Sequence, residues 1–430
     1  MTMKRLRLPR SFTVSGLLIF VALFCVSTFA FLEDMSISIV SFSMLKLPLM
    51  YVGFGCLVLQ LKTISRCLFK KNRFYTLLAL VILCILLGIV MLLNLDAQIG
   101  ESPLRYTVRL LLFLVEAFML MIVIAETGRG HLALRFLFWY LLVLVLVNDV
   151  LMFTKWITFT DGKRESYLVG TKFSVSYLHI YLLMTWMMCQ KYRKIRSSLP
   201  WWLVLLIAAA VVFVAIRVDC MTGVLGCILL VALTMFMENP KWMRWIRVTS
   251  PWVLLAAILA SVIFAFVADA ITEIPLIKFV VEDLLKRDTS ITGRTNIYGM
   301  YAGNMEGHWL AGYGYGNANE VAVELFGYQT MQNGLLQWVL ETGIPSTVCL
   351  VILIMQVFSV INRATGERRR RMTPLIALAY TFIALGTVEA NYNLAFLMWI
   401  AAAYMVATEK SKASTQVNAR TCSLKGDYED

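Results

Sequence analysis

Apolar runs of about twenty residues recur along nearly the whole chain, separated by short polar stretches. Each is long enough to cross a hydrocarbon layer of ~30 Å as a helix. They fall at about 12–31, 39–61, 75–94, 104–125, 133–153, 173–190, 200–216, 219–237, 251–270, 334–360, 373–388 and 392–408. No strand-like alternation runs through them, and a chain in lipid must satisfy its own backbone groups, so the pattern predicts helices. The longest stretch that lipid would exclude is 272–333. The fold expected is an all-α polytopic integral membrane protein with about twelve transmembrane helices and a partly helical extracytoplasmic loop between the ninth and tenth. Its divisions are helices one to nine (1–271), the loop (272–333), helices ten to twelve (334–408) and a polar, disordered cytoplasmic tail (409–430).

Charge gives the chain an orientation. Only 15% of residues are charged, against about 25% in soluble domains, and the mean hydropathy is +0.76. The net charge of +13 is not gathered on a soluble domain, which argues against nucleic acid as a partner. Instead, basic residues cluster at Lys4–Arg10, Lys62–Arg73, Arg129 and Arg135, Lys191–Arg196, Lys241–Arg247, Arg363–Arg371 and in the tail. Those segments alternate with acidic ones such as Glu33-Asp34 and Asp96–Glu101, so the positive-inside rule sets both termini in the cytoplasm and the long loop outside. The 12–31 run is long for a signal peptide, and Ser27–Ala30 is a poor cleavage site; it reads as an uncleaved first helix. The external segment 154–172, with Lys155, Lys163, Arg164 and Lys172, breaks the trend, by tolerance or by function.

Most of the nine cysteines sit in apolar runs, and the three histidines (His131, His179, His308) have no ligand spacing. No metal, cofactor or nucleotide motif is expected.

Charges inside the spans are costly and face a partner or a cavity. Arg105 and Arg109 stand near the outer end of the fourth span, and Glu116, two turns beyond Arg109, shares its face. That geometry suits either an internal ion pair or a cationic cavity wall. Asp149, Arg217 and Asp219 belong to the same outer level, so several elements bring charge to one depth.

Within the loop, Ile274–Arg287 has the pattern of an amphipathic surface helix. Thr292 is a candidate N-cap for a helix through Arg294–Asn304, with Arg294 in its first turn, where an arginine fork and backbone N–H groups suit an anion. It reads equally as a surface arginine at a helix start. Gly312, Gly314 and Gly316 alternate with Tyr313 and Tyr315, forming either a phosphate nest or a plain turn-rich link. The tyrosines are candidates for stacking on sugar rings. Gln332 and Asn333 stand at the mouth of the next helix.

Three motifs in order, Thr292-Gly293-Arg294, Gly312-Tyr313-Gly314 and Gln332-Asn333 followed by Glu341-Thr342-Gly343, resemble the O-antigen polymerase and ligase superfamily (Wzy-type polymerases and ligase relatives). Gln332 occupies a position where ligase relatives carry histidine, and Met221 in Cys220–Gly223 replaces a family arginine, for which Arg217 is a candidate substitute. The resemblance implies a GT-C-like fold in the bacterial cytoplasmic (inner) membrane. It also implies inverting, metal-independent transfer of glycans from undecaprenyl diphosphate, with no cofactor. The favoured reading is a polymerase of capsular, exopolysaccharide or O-antigen repeat units; a ligase and a polysaccharide flippase are the alternatives. Partners implied are the lipid-linked glycans, the bilayer, and a chain-length regulator and flippase of the same pathway. Catalytic candidates are Arg294 and Arg217 for the leaving diphosphate and His308 and Glu320 as base. Arg109, Arg105, Tyr313, Gln332 and Asn333 are substrate-binding candidates.

Overall fold

The computed structural model describes residues 14–32, 36–37, 40–68, 73–96, 99–100, 102–154, 159–161, 164–193, 199–239, 247–272, 292–328 and 330–410. The expected amphipathic helix 274–287 and the tail beyond Lys410 lie outside these residues.

All twelve apolar segments are helical. They form α1 (Val14–Phe31), α2 (Phe42–Val58), α4 (Phe74–Leu93), α5 (Leu104–Thr127), α6 (Gly130–Phe153) and α7 (Lys172–Arg193) in the first part of the chain. Then come α8 (Trp201–Arg217), α9 (Met221–Glu238), α10 (Pro251–Thr272), α13 (Gly334–Arg363), α15 (Thr373–Leu385) and α16 (Leu394–Thr408). Four shorter helices complete the set: α3 (Leu61–Leu68), α11 (Thr292–Asn304), α12 (Ala318–Phe326) and α14 (Gly366–Arg371). By length and composition, six of the described helices can cross a membrane: α1, α4, α5, α6, α9 and α13. The protein is therefore a helical, multi-pass type of chain suited to a lipid bilayer.

The all-α character expected is accompanied by two very short strand pairs. Two small antiparallel hairpins occur, β1 (Ser36–Ile37) with β2 (Val40–Ser41), and β3 (Phe159–Asp161) with β4 (Arg164–Ser166). The second lies in the segment that broke the charge trend. Its register pairs Asp161 with Arg164.

Helices in lipid gain little from burying apolar surface against one another, so close approach relies on small residues. A Cβ on Gly223 of α9 would stand 2.5 Å from Ser176 Cβ of α7, and one on Gly226 would meet Leu385 of α15 and Ile180 of α7. The α7–α9–α15 layer is packed through these two glycines. Charges at the other end of the bundle are paired: Arg73 and Lys410 both meet Glu126, and Lys191 meets Glu238. Glu409 accepts from the Gly130 N–H (2.9 Å) and the Tyr192 hydroxyl (2.8 Å). Glu409 and Lys410 are held by the ends of α5, α6 and α7.

The long loop builds a core of its own. Ile297, Tyr301 and Met305 of α11, Val321 and Phe326 of α12, and Leu336 and Leu340 of α13 are buried together with Ala265 of α10. Tyr301 donates to the Leu336 carbonyl (2.8 Å), Tyr298 to the Gln332 carbonyl (3.2 Å) and Asn304 to the Leu325 carbonyl (3.0 Å). The described part of the loop is a compact cap fixed on α10 and α13.

Candidate functional site

Helix α13 is broken at Gly343, whose φ of 73° and ψ of 173° only glycine adopts at ease. Pro345, two residues on, has no N–H to give the Glu341 carbonyl. The glycine-rich segment of the loop fills the gap. Tyr313 N–H donates to the Leu340 carbonyl (2.8 Å), Gly314 N–H to the Glu341 carbonyl (3.0 Å), and Ile344 N–H to the Trp309 carbonyl (2.8 Å). A Cβ on Gly312 would stand 2.6 Å from the Leu340 and Glu341 backbone. Loop and helix are therefore one backbone unit, built from two glycine motifs about thirty residues apart.

This unit also touches the α4–α5 turn. Gly314 lies against Pro103 and Asn94, Gly316 against the Tyr106 ring, and Asn94 Nδ2 donates to the Ala311 carbonyl at 3.3 Å. Arg105, exposed and adjacent to Tyr106, is thereby brought to the edge of the loop. Arg109, one turn deeper, is buried.

Around the break the side chains are acidic and aromatic. The Glu341 carboxylate, half-buried, accepts from the Gly316 N–H and is close enough to Glu320 to feel its charge. Glu320 is exposed in the first turn of α12. Burial, and then the charge of Glu341, push the Tyr315 phenol well above its ordinary value, so it stays a neutral hydroxyl. Its ring packs on Trp338. Tyr313 stacks on His308 with centroids 3.9 Å apart, and its hydroxyl donates to the Asn304 carbonyl. His308 Nδ1 is 3.4 Å from the Gly312 carbonyl.

The remaining candidates separate into three situations. Arg294 is the third residue of α11, which begins at Thr292 itself rather than after it; the Arg294 side chain is outside the described residues. Arg217 closes α8 and is exposed at a turn where Asp219, at φ 52°, pairs with Lys172 (3.4 Å). Asn333 is fully buried with its amide committed: its oxygen caps α13 through the Leu335 and Leu336 N–H groups (3.1 Å each), and its nitrogen reaches Ser261 and Thr387 carbonyls. Gln332, half-buried at φ 50°, gives its carbonyl to Tyr298. Gln332 and Asn333 thus set the helix mouth.

The other charged candidates turn to neighbouring helices. Asp149 of α6 meets His179 of α7 at 3.0 Å, and the other ring nitrogen meets the Val175 carbonyl at 2.8 Å. With both nitrogens occupied, His179 has none to offer a substrate. Glu116 turns to α2, its carboxylate against Gly53 and the Phe54 N–H. Among the described residues, no three His, Cys, Asp or Glu side chains come together as a metal site would need.

Sequence reasoning passed over Glu341 as a site residue. The signal was present: Gly343 and Pro345 within one helical run mark a break, and a break frees the backbone carbonyls of the turn that holds Glu341.

No protein-family model matches this chain, and no curated protein matches it either.

Proposed function

We propose that this chain is a polymerase that joins undecaprenyl-diphosphate-linked oligosaccharide repeat units on the outer face of a bacterial cytoplasmic membrane. The reading includes twelve crossings in a GT-C-like arrangement, both termini in the cytoplasm, and the loop outside. One observation carries most weight: the Gly312–Gly316 segment and Glu341–Gly343, separate motifs in the resemblance, are hydrogen-bonded into one unit where the cap meets a membrane-length helix.

In the reaction, an acceptor hydroxyl oxygen attacks the anomeric carbon of the donor sugar. The carbon–oxygen bond to the diphosphate breaks, and the diphosphate leaves with the electron pair. Without a metal, fixed cations must hold that charge as it develops. Arg294 is the first candidate and Arg105 has the loop-edge location; Arg217 and Arg109 are more remote candidates. The hydroxyl proton goes to a base, for which Glu341, Glu320 and His308 are candidates; Glu341 is half-buried and oriented by a backbone N–H, which favours it. Tyr313 and Trp309 offer faces for sugar rings.

The test is deletion followed by analysis of lipid-linked glycans. Single repeat units accumulating outside support the polymerase. Accumulation inside would sink it in favour of a flippase, and long unattached polymer would indicate a ligase. Within the same reading, Arg294→Lys is expected to lose polymer while expressing normally, because a point charge does not replace the bidentate fork; full chain length in that variant would remove Arg294 from the mechanism.

A further inference from the structure

Two unfavourable local choices meet at Asn317. It occupies the N-cap position of α12, yet its side chain makes no cap bond, so the first N–H groups of that helix keep no side-chain partner. Its amide lies instead against Gly100 of the α4–α5 link, where a Cβ would stand 2.9 Å from Cγ and Oδ1. The residue is 1% exposed, and Nδ2 has no hydrogen-bond partner among the described residues. Gly100 is itself exposed, so the amide lies one residue below the surface. A cap forgone and a buried donor left unmet both cost stability. Such costs gather where a chain is shaped for a ligand.

The surroundings select the ligand. Gly316, one residue before Asn317, packs on the Tyr106 ring of α5 and gives its N–H to Glu341. Three residues after Asn317, Glu320 stands exposed in the first turn of α12 and is close enough to act by its charge on Glu341. The notch between the α4–α5 link and α12 thus combines an unmet amide donor, uncapped N–H groups and two carboxylates. The charged residues described between 94 and 106, on α12 and from 334 to 343 are Asp96, Glu320, Glu324 and Glu341 against Arg105. A phosphate or a uronate would meet like charge there. A neutral polyol meets what it needs: carboxylates accept from its hydroxyls, and the amide and backbone N–H groups donate to them.

We propose that this notch is the acceptor-sugar subsite of the polymerase; the inference rests on that reading. It takes an uncharged sugar ring whose hydroxyls meet Glu320 and the Asn317 amide while the attacking hydroxyl is presented to Glu341. Asn317 and Glu320 are specificity-determining residues for the acceptor. The leaving diphosphate, repelled by the same carboxylates, is left to Arg294.

The test takes the lipid-linked glycan that accumulates in a deletion strain, on whichever side, and releases its oligosaccharide with mild acid. Calorimetry then measures binding of that oligosaccharide to the full chain in nanodiscs, with undecaprenyl phosphate titrated in parallel. The oligosaccharide is expected to bind without its diphosphate. Glu320→Gln and Asn317→Leu should each weaken it about tenfold, while undecaprenyl phosphate binds unchanged. Asn317→Leu should also melt no lower than the parent, because the Nδ2 it removes holds no bond; an asparagine needed only for the fold would lower the melting temperature instead. The side of accumulation tests the polymerase reading and the variants test the notch, so either can fail without the other. No binding of the free oligosaccharide, equal affinity in parent and variants, loss of undecaprenyl phosphate binding along with it, a uronic acid as the glycan's terminal sugar, or no accumulated glycan would each overturn the subsite.

Discussion

The Ile344 N–H donates to the Trp309 carbonyl across 2.8 Å, a bond made because helix α13 cannot make its own there. In an unbroken helix that N–H would go to Leu340, whose carbonyl instead accepts from Tyr313. The exchange depends on Gly343, since a Cβ there would stand 2.3 Å from the Leu310 carbonyl oxygen at a φ of 73°. Gly343→Ala is expected to destabilise the protein by at least about 3 kcal/mol, backbone strain and overlap together. Gly299→Ala, on α11 with nothing within 4 Å of the new Cβ, is expected to be neutral or to stabilise by up to about 1 kcal/mol. Thermal unfolding in a fixed detergent compares the two; equal melting temperatures would mean the break is not needed for the fold.

The same bond places Trp309 and Leu310 beside Ile344, where α13 turns its uncovered face outward. Leu310 is 76% exposed, and Ile344, Val348 and Ile352 continue the exposed apolar line at helical spacing. In a bilayer such an apolar stripe would face lipid, with Leu310 at its interfacial end. A spin label on Leu310→Cys in liposomes is expected to be more accessible to oxygen than to a water-soluble nickel chelate. A label on Glu306→Cys, exposed on the cap, is expected to show the reverse. If both labels behave as in water, the cap does not touch the bilayer.

How far the sequence foretold this arrangement depended on the physics in play. Apolar runs identify helices because lipid leaves the backbone no other choice, and all twelve are helical. Tyr298, Tyr301 and Leu336 could be seen as apolar or aromatic, but nothing local says that α11 docks on α13, since that contact joins residues more than thirty apart. Arg109 and Glu116 share a helix face as their spacing implies, yet Glu116 turns to Gly53, a choice set by the partner helix. Asp149 and Asp219 were legible as charges at the ends of apolar runs and not as partners of His179 and Lys172.

Asn333 caps α13 and ties it to the middle of α10 and the end of α15. Its replacement should act on stability before it acts on any chemistry. Asn333→Ala removes two cap bonds and the amide's reach to Ser261 and Thr387, for an expected loss of about 1–3 kcal/mol. Melting in detergent measures it. A variant that melts normally but has lost activity would instead mean that the amide meets substrate.

Asp149 and His179 offer the sharpest separation of structure from chemistry. The pair joins α6 to α7, with side chains 20% and 6% exposed, and Asn148 adds an N–H to the second carboxylate oxygen at 3.3 Å. Losing one partner leaves the other's polar atoms buried among apolar helices, whereas losing both removes the demand along with the bond. Asp149→Asn and His179→Gln are therefore expected to destabilise by more in sum than the double variant does. The coupling should be about 1–3 kcal/mol, in the range for contacting residues. If the outer charges formed a shared substrate site instead, the single variants would melt normally and fail in glycan assembly. Additive melting shifts would mean that the bond contributes nothing to holding α6 on α7.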